Sequence, residues 1–274
     1  MRISFTKQKG PLKVAVIKET TARDARFAMR NAGIAGADAF DLHLSMLSPE
    51  ERDTDQLRAL FSAQTLPVMA LHYNQGPDNL KLTDSDETRM ELLHLAATCG
   101  ASCVDMQGYT FNPGDTRASL TGSGLPFASD MPAEVALRRE TIDRQKEFIR
   151  EIHKGGREVL LSVHTGVFLD CEKVLSLADF LMERDSDALK LVGMCDTPEQ
   201  LAEYVKAVPA LKARFPGKAM HYHCNGKYGT FTRLVGPLLG SYLVFCVERF
   251  NVLSIPEQLP LRETAEIYRL IERL

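Results

Sequence analysis

The 274-residue sequence lacks the features that mark nucleic-acid-binding, membrane-spanning or secreted proteins. Its formal net charge is only −3, so no strong charge indicates nucleic acid or an anionic membrane as a partner. No apolar run approaches the roughly 20 residues that a membrane span needs. The first ten residues are polar and basic without an apolar centre, and we expect no secretory signal there.

Several local motifs are missing as well. The six cysteines form no CxxC pair, and most lie in or beside apolar runs, as buried free thiols do. We therefore expect a reduced, cytoplasmic protein. The sequence has no HExxH zinc motif, and no Gly-rich dinucleotide fingerprint follows any apolar run.

What the sequence does have is an alternation of short apolar runs with longer amphipathic runs. Eight apolar runs predict strands, and they lie near Val14, Asp41, Ala70 and Asp105, at 158–164, and near Lys190, His221 and Val244. Strand followed by helix, repeated eight times, is typical of βα units around a parallel sheet. The predicted fold is therefore α/β, a single-domain (β/α)₈ TIM barrel over 1–274 with an N-terminal extension at 1–12. An open parallel sheet stays an alternative, although its nucleotide-binding form is disfavoured without the fingerprint.

One segment interrupts the alternation. Residues 108–132 are rich in Gly, Pro, Ser and Thr, and they follow the fourth predicted strand. The carboxyl ends of the strands carry the active site in barrels of this type. The segment is thus either a substrate lid or a plain surface insertion.

Polar side chains lie at the ends of the predicted strands, where a barrel would hold its active site. Alternate residues of a strand share one face, which groups these side chains by strand. The candidates are Asp41, His43 and Ser45 on the second strand, His72 on the third, Asp105 and Gln107 on the fourth, His164 on the fifth, Lys190 on the sixth, and His221, His223 and Asn225 on the seventh.

Lys190 is the candidate with the most specific chemistry. Burial between Leu189 and Leu191 would favour its neutral amine and lower its pKa. A neutral lysine amine attacks a ketone to form a Schiff base, which then withdraws electrons from the neighbouring carbon. The alternative is a strand-end lysine that reaches out to solvent. His164 on the adjacent predicted strand favours the chemical interpretation, because an imidazole there could move protons beside the amine.

The same strand ends also allow a metal site. Histidine and carboxylate side chains are suitable ligands for zinc or iron, and the candidates are His43, His72, His221, His223, Asp41 and Asp105. No spacing specifies a complete site. We therefore rank a metal-dependent isomerase or lyase below the Schiff-base interpretation.

The chain resembles a known family over nearly the whole predicted barrel, apart from the segment after the fourth strand, and most specifically in its C-terminal part. NGKYGTFTRLVGPLLGS at 225–241 resembles the MGxxGxxSRxxGxxxGS segment of the type I 3-dehydroquinate dehydratases. LSIPEQ at 253–258 resembles their SAPGQ loop, and LLSVHTG and DALKLVG resemble their histidine-bearing and lysine-bearing strands. The resemblance implies dehydration of a cyclic keto-carboxylate without metal or cofactor, and a homodimer. It assigns the imine to Lys190, proton transfer to His164, the substrate carboxylate to Arg233, and the closing loop to Ser254 and Gln258.

The chain departs from the family at positions that would contact the substrate. Asp41 replaces a Glu, His43 and His72 replace arginines, and Asn225 replaces a Met. We expect the following residues to bind substrate: Asp41, His43, His72, Asp105, Gln107, His223 and Asn225. The hypothesis is a Schiff-base hydro-lyase acting on 3-dehydroquinate or a related keto-acid. A barrel that has lost catalysis and binds a carboxylated metabolite is the non-enzymatic alternative.

Overall fold

A computed structural model describes residues 3–73, 84–112, 125, 127 and 134–273. Among them the strands are β1 (Leu12–Ile17), β2 (Ala39–His43), β3 (Val68–Leu71), β4 (Cys103–Gln107), β5 (Glu158–His164), β6 (Ala188–Met194), β7 (Ala219–Asn225), β8 (Leu243–Val247) and β9 (Leu259–Pro260). The helices are α1 (Ala22–Ile34), α2 (Thr54–Ser62), α3 (Asp86–Cys99), α4 (Arg139–Lys154), α5 (Cys171–Met182), α6 (Pro198–Arg214), α7 (Gly229–Leu239) and α8 (Leu261–Ile271). None of these described helices has both the length and the apolarity needed to cross a membrane.

The chain divides into two compact units. The first comprises Met1–Asp105, Lys154–Glu158 and Leu243–Leu274, and the second comprises Met106–His153 and Val159–Tyr242. The expectation of one domain over 1–274 stays a prediction.

In the first unit, parallel strands follow the order β4, β3, β2, β1, β8, β9. The strands are buried on both faces, so they read in the sequence as nearly continuous apolar runs. Side-chain caps begin the three helices after β1, β2 and β3, because Thr21, Asp53 and Ser85 each accept a hydrogen bond from a backbone N–H of the first turn. These caps fix where each helix begins after its strand.

The second unit is built on β5, β6 and β7, which pair in parallel. Asp170 and Thr197 cap the helices that follow β5 and β6. The turn from β7 to α7 requires glycine at Gly226, whose φ is +91° and whose added Cβ would lie 2.4 Å from Asp196 Oδ1. The backbone of Lys227 donates to the same carboxylate at 2.8 Å, which holds the turn closed.

All eight predicted strands are present, and the differences lie at their ends. β2 stops at His43, and Ser45 lies in a 3₁₀ turn. Of the three residues predicted to share one face of this strand, only Asp41 and His43 lie on it. His72 follows β3 rather than ending it, and β1 begins at Leu12, which shortens the extension to 1–11. β9 was not predicted because it has two residues, one of them a proline. Most of the predicted loop at 108–132 lies outside the described residues.

Candidate active site

Lys190 lies in the middle of β6 with a chemically useful residue on each side. Its register partners are Ser162 on β5 and His221 on β7. Two residues further along, Val192 pairs with His164 on one side and His223 on the other. Register partners and alternate residues share a face, so these side chains lie on the face that carries Lys190. Lys190 is only 5% exposed, which excludes the solvent-reaching alternative.

His164 is held in its neutral form. Burial lowers its pKa from 6.5 to about 3, and the nearby cations Lys190 and Arg233 lower it further. At neutral pH the ring is therefore a neutral imidazole, which is the form that accepts a proton.

A second pair of imidazoles lies on β7. Nε2 of His221 is 2.7 Å from Nδ1 of His223, and Nδ1 of His221 is 2.7 Å from Oγ of Ser241. Burial, followed by the positive charge of Arg233, holds the pKa of His223 well below its usual value. Nε2 of His221 and Nδ1 of His223 form a hydrogen bond with each other. These two nitrogens therefore cannot both bind the same ligand.

Arg233 is placed by α7, which begins directly after the β7 turn. Its Nη2 donates to Oδ1 of Asn225 at 2.8 Å, and the residue is 5% exposed. Thr232 Oγ1 accepts from the backbone N–H of Cys224 at 3.0 Å, which ties the helix to the strand. The guanidinium is thus a fixed, buried cation whose field reaches both His164 and His223.

In the first unit, the carboxyl ends of β2, β3 and β4 bring together another polar group. Asp41 Oδ2 is 3.5 Å from His43 Nε2, and Tyr73 donates to Asp105 Oδ2 at 3.1 Å. The rings of His43 and Tyr73 meet edge to face, with centroids 6.1 Å apart. Asp41 Oδ1 is buried and has no hydrogen-bond partner among the described residues. A buried carboxylate oxygen of this kind is available to a ligand.

Two basic residues near this group were not predicted. Lys18, the residue after β1, donates to the carbonyl of Leu253 at 2.7 Å, and burial lowers its pKa. Its position directly after an apolar strand was the signal that could have identified it. Arg52 lies near His72, whose pKa falls to about 4, first through burial and then through the charge of Arg52.

The loop after β8 carries the two residues assigned to the closing loop. Gln258 Oε1 accepts from the backbone of Ile255 at 2.9 Å, and Ser254 Oγ accepts from the backbone of Asn251 at 3.0 Å. Both residues line a cavity of about 440 Å³ within the first unit, together with Lys18. Val252 at the tip of this loop is 90% exposed.

Gln107, the last of the predicted site residues on the fourth strand, is buried at the end of β4.

Within the part of the chain that the structure describes, no three His, Cys, Asp or Glu side chains are grouped so that they could hold a metal ion.

A buried lysine amine beside neutral imidazoles and a fixed guanidinium, on the strands of a βα sheet, is an arrangement typical of imine-forming enzymes. The sequence model of the type I 3-dehydroquinase family matches residues 130–274, more than half of the chain, and the chain belongs to that family. The Schiff base is the characteristic chemistry of this family. The expectation of a Schiff-base hydro-lyase is thereby confirmed.

Individual proteins are similar to this chain over nearly its whole length. The 3-dehydroquinate dehydratase of Methanosarcina barkeri is 25% identical over 267 residues, which cover 94% of each chain. The crystal structure of 3-dehydroquinate dehydratase from Geobacillus kaustophilus superposes with a TM-score of 0.76 at 14% identity, covering 100% of this chain and 97% of that one. The type I enzyme from Clostridium difficile, solved with covalently modified comenic acid, gives 0.73 at 15% identity, covering 97% and 94%. The likeness to these structures confirms the predicted (β/α)₈ barrel fold.

Proposed function

We propose that this chain dehydrates 3-dehydroquinate, or a closely related cyclic keto-acid, through an imine on Lys190. The observation that carries the proposal is the buried amine of Lys190 on a strand face that it shares with the neutral imidazole of His164. The activity named for the Methanosarcina and Geobacillus relatives supports the choice of substrate.

The reaction begins with the addition of the Lys190 amine to the substrate ketone. A C–N bond forms, the carbonyl oxygen takes the electron pair of the C=O bond, and a proton moves from nitrogen to that oxygen. The carbinolamine takes up one proton from solvent, loses water and becomes an iminium ion; the final hydrolysis returns that proton when it frees the neutral amine. The positive charge of the iminium acidifies the hydrogens on the neighbouring carbon.

His164 takes one of these protons. The electron pair of the C–H bond forms an enamine, and the enamine expels the hydroxyl group on the next carbon. His164 returns the proton so that the hydroxyl leaves as water. Hydrolysis of the resulting conjugated iminium consumes one water and frees Lys190, so the net change is the loss of one water from the substrate. General acid–base help of this kind typically contributes about 10²–10⁴-fold.

Arg233 binds the substrate carboxylate in this proposal. A guanidinium offers two parallel N–H donors that match a carboxylate, and Asn225 holds this one in place. The other predicted substrate contacts, namely Asp41, His43, His72, Asp105, Gln107, Ser254 and Gln258, stay assignments from the family resemblance. A cytoplasmic homodimer is likewise proposed from the resemblance.

Turnover with the named substrate tests the proposal. Purified protein is mixed with 3-dehydroquinate and, separately, with related cyclic ketones that lack either the carboxylate or the leaving hydroxyl. The conjugated product is followed by its ultraviolet absorbance. We expect turnover only of substrates that carry the ketone, the β-hydroxyl and the carboxylate, with no loss after chelator treatment. Chelator-sensitive turnover would favour the metal-dependent alternative, and binding without turnover would favour the non-catalytic one.

A further inference from the structure

A single hydrogen bond joins the loop between β8 and β9 to the rest of the described chain. This loop, residues 249–258, contains Ser254 and Gln258. Lys18 Nζ donates to its Leu253 carbonyl at 2.7 Å. Every other hydrogen bond that the loop makes with described residues stays inside the loop. The mechanism above gives Lys18 no role.

The loop is internally braced by two consecutive turns. In the first, the backbone N–H of Ser254 donates to the carbonyl of Asn251 at 3.1 Å, and the backbone N–H of Leu253 donates to Oδ1 of Asn251 at 2.9 Å. In the second, Gln258 Oε1 accepts from the backbone of Ile255 at 2.9 Å, and the Gln258 N–H donates to the Ile255 carbonyl at 3.0 Å. Because the turns follow each other directly, a bond at Leu253 helps to set the position of both.

Apolar packing holds the tip of the loop only weakly. The side chains of Phe250, Val252 and Ile255 are all exposed. A segment with few buried apolar contacts opens at a low cost in free energy. The bond from Lys18 therefore contributes a large share of what keeps this loop in place.

The amine of Lys18 belongs to the polar group at the ends of the first strands. Val16 is the register partner of Asp41, and Lys18 follows Val16 by two residues. Burial lowers the pKa of Lys18, and the nearby charge of Asp41 partly opposes this effect. Lys18 also lines the same cavity of about 440 Å³ as Ser254 and Gln258. A movement of the loop away from Lys18 would thus change the cavity that these side chains line.

We propose that Lys18 is a positioning residue for this enzyme, whose amine holds the loop at 249–258 where Ser254 and Gln258 bind the substrate. The inference rests on the proposed function for that substrate. Lys18 acts through the loop and takes no part in the proton transfers. The family resemblance assigns Ser254 and Gln258 to the closing loop and gives Lys18 no role.

Limited proteolysis tests the anchor without substrate. Chymotrypsin cleaves after Phe250, and mass spectrometry of the fragments identifies this cut. Lys18→Met removes the donor and should speed the cut about tenfold, because one hydrogen bond to a charged group shifts an opening equilibrium by about that factor or more. Lys18→Arg keeps a donor and should restore most of the protection. An unchanged rate in Lys18→Met would overturn the inference.

The matched control is Lys13→Met. Lys13 lies on the same strand, β1, and its amine pairs with Asp38 instead of the loop. The control loses a lysine by the same substitution, and we expect the cut after Phe250 to keep its wild-type rate. Equal acceleration in Lys13→Met and Lys18→Met would show general destabilisation and would also overturn the inference.

Steady-state kinetics tests what the anchor does for the reaction. In Lys18→Met the substrate must bind to a loop that is no longer held, while Lys190 and His164 are unchanged. We expect KM to rise about tenfold and kcat to change less than about threefold, which is the pattern of lost binding without lost chemistry. Lys18→Arg should recover most of the KM. An unchanged KM in Lys18→Met, or an equal rise in Lys18→Arg, would contradict the positioning role.

A double-mutant cycle separates the loop from the charge of Asp41. Lys18→Met is also made in an Asp41→Asn background, and we expect KM to rise by the same factor in both backgrounds. A rise seen only with Asp41 intact would mean that Lys18 acts through that carboxylate, which would overturn the inference. If the wild-type protein turns over none of the substrates, the proposed function fails, and the proteolysis result still decides whether Lys18 anchors the loop.

Discussion

Arg233 Nη2 donates to Oδ1 of Asn225 at 2.8 Å, which joins α7 to the last residue of β7. The bond holds a buried cation at the strand end. That cation contributes to the low pKa of both His164 and His223, and it offers a guanidinium to an anionic substrate. Substrate binding and the neutral state of the imidazoles are thus linked through one residue.

Replacing Arg233 should weaken binding of the substrate carboxylate. Hydrogen bonds to charged groups contribute about 1.5–3 kcal/mol, so Arg233→Met should raise KM by about 10- to 150-fold. Arg233→Lys keeps the charge but not the two parallel donors, and it should recover only part of the loss. Steady-state kinetics on the three proteins checks this, and an unchanged KM in Arg233→Met would remove the carboxylate assignment.

The pH dependence of turnover should lack an acid limb from His164 near pH 6.5. Its pKa is about 3 in the folded protein, so the imidazole stays unprotonated and able to accept a proton down to that pH. In Arg233→Met a positive neighbour is gone, the protonated form becomes less unfavourable, and the His164 pKa should rise. Histidine NMR titration of both proteins checks the direction, and a downward or absent shift would contradict the electrostatic explanation.

Stability should fall as the pH drops below about 6.5. The unfolded chain then binds a proton at His164 that the folded protein excludes until the pH approaches 3. This single group lowers the free energy of unfolding by at most about 1.4 kcal/mol per pH unit between these values. Urea denaturation of His164→Gln between pH 7 and 5 should show a shallower slope. His94→Gln, at an exposed position on α3, is the control. Equal slopes for both variants would contradict the prediction.

Arg184 should be essential for the stability of the second unit. Its guanidinium is buried and donates to the carbonyls of Ala136 and Phe180 and, at 3.3 Å, to Gln145. Burial lowers its pKa to about 10. Arg184→Met leaves these acceptors buried without donors, and we expect a loss of about 3 kcal/mol or more in urea denaturation.

The matched control for Arg184 is Arg214→Met. Arg214 forms an exposed ion pair with Asp179, and such pairs contribute about 0–1 kcal/mol. Similar losses in the two variants would show that the buried network of Arg184 adds little to stability.

The sequence predicts the strands well, because a strand that is buried on both faces consists mostly of apolar residues. The amphipathic segments of the helices separate these apolar runs along the chain. It also places Lys190, His164, His221 and His223 on the correct strands, because alternate residues share a face. It does not predict the bond from His221 to Ser241, which lies 20 residues further along the chain. Ring orientation and tautomer depend on such long-range partners, and strand periodicity carries no information about them.

The contacts of the first unit were predicted less completely for the same reason. Asp41 and His43 were identified from their two-residue spacing, but Tyr73 donates to Asp105 from a position after the end of β3. The periodicity that identifies candidates ends where the strand ends. The contact of a residue in the turn that follows, such as Tyr73, is therefore found only from coordinates.

Mass spectrometry of the borohydride-reduced adduct tests the central claim most directly. The protein is incubated with 3-dehydroquinate and borohydride, digested, and each lysine-bearing peptide is examined. Lys173→Met, on the surface of α5, is the control variant, and Lys190→Met is the test. We expect one substrate-derived adduct on Lys190, present in Lys173→Met and absent in Lys190→Met. An adduct on another lysine, or turnover that persists in Lys190→Met, would contradict the imine on Lys190.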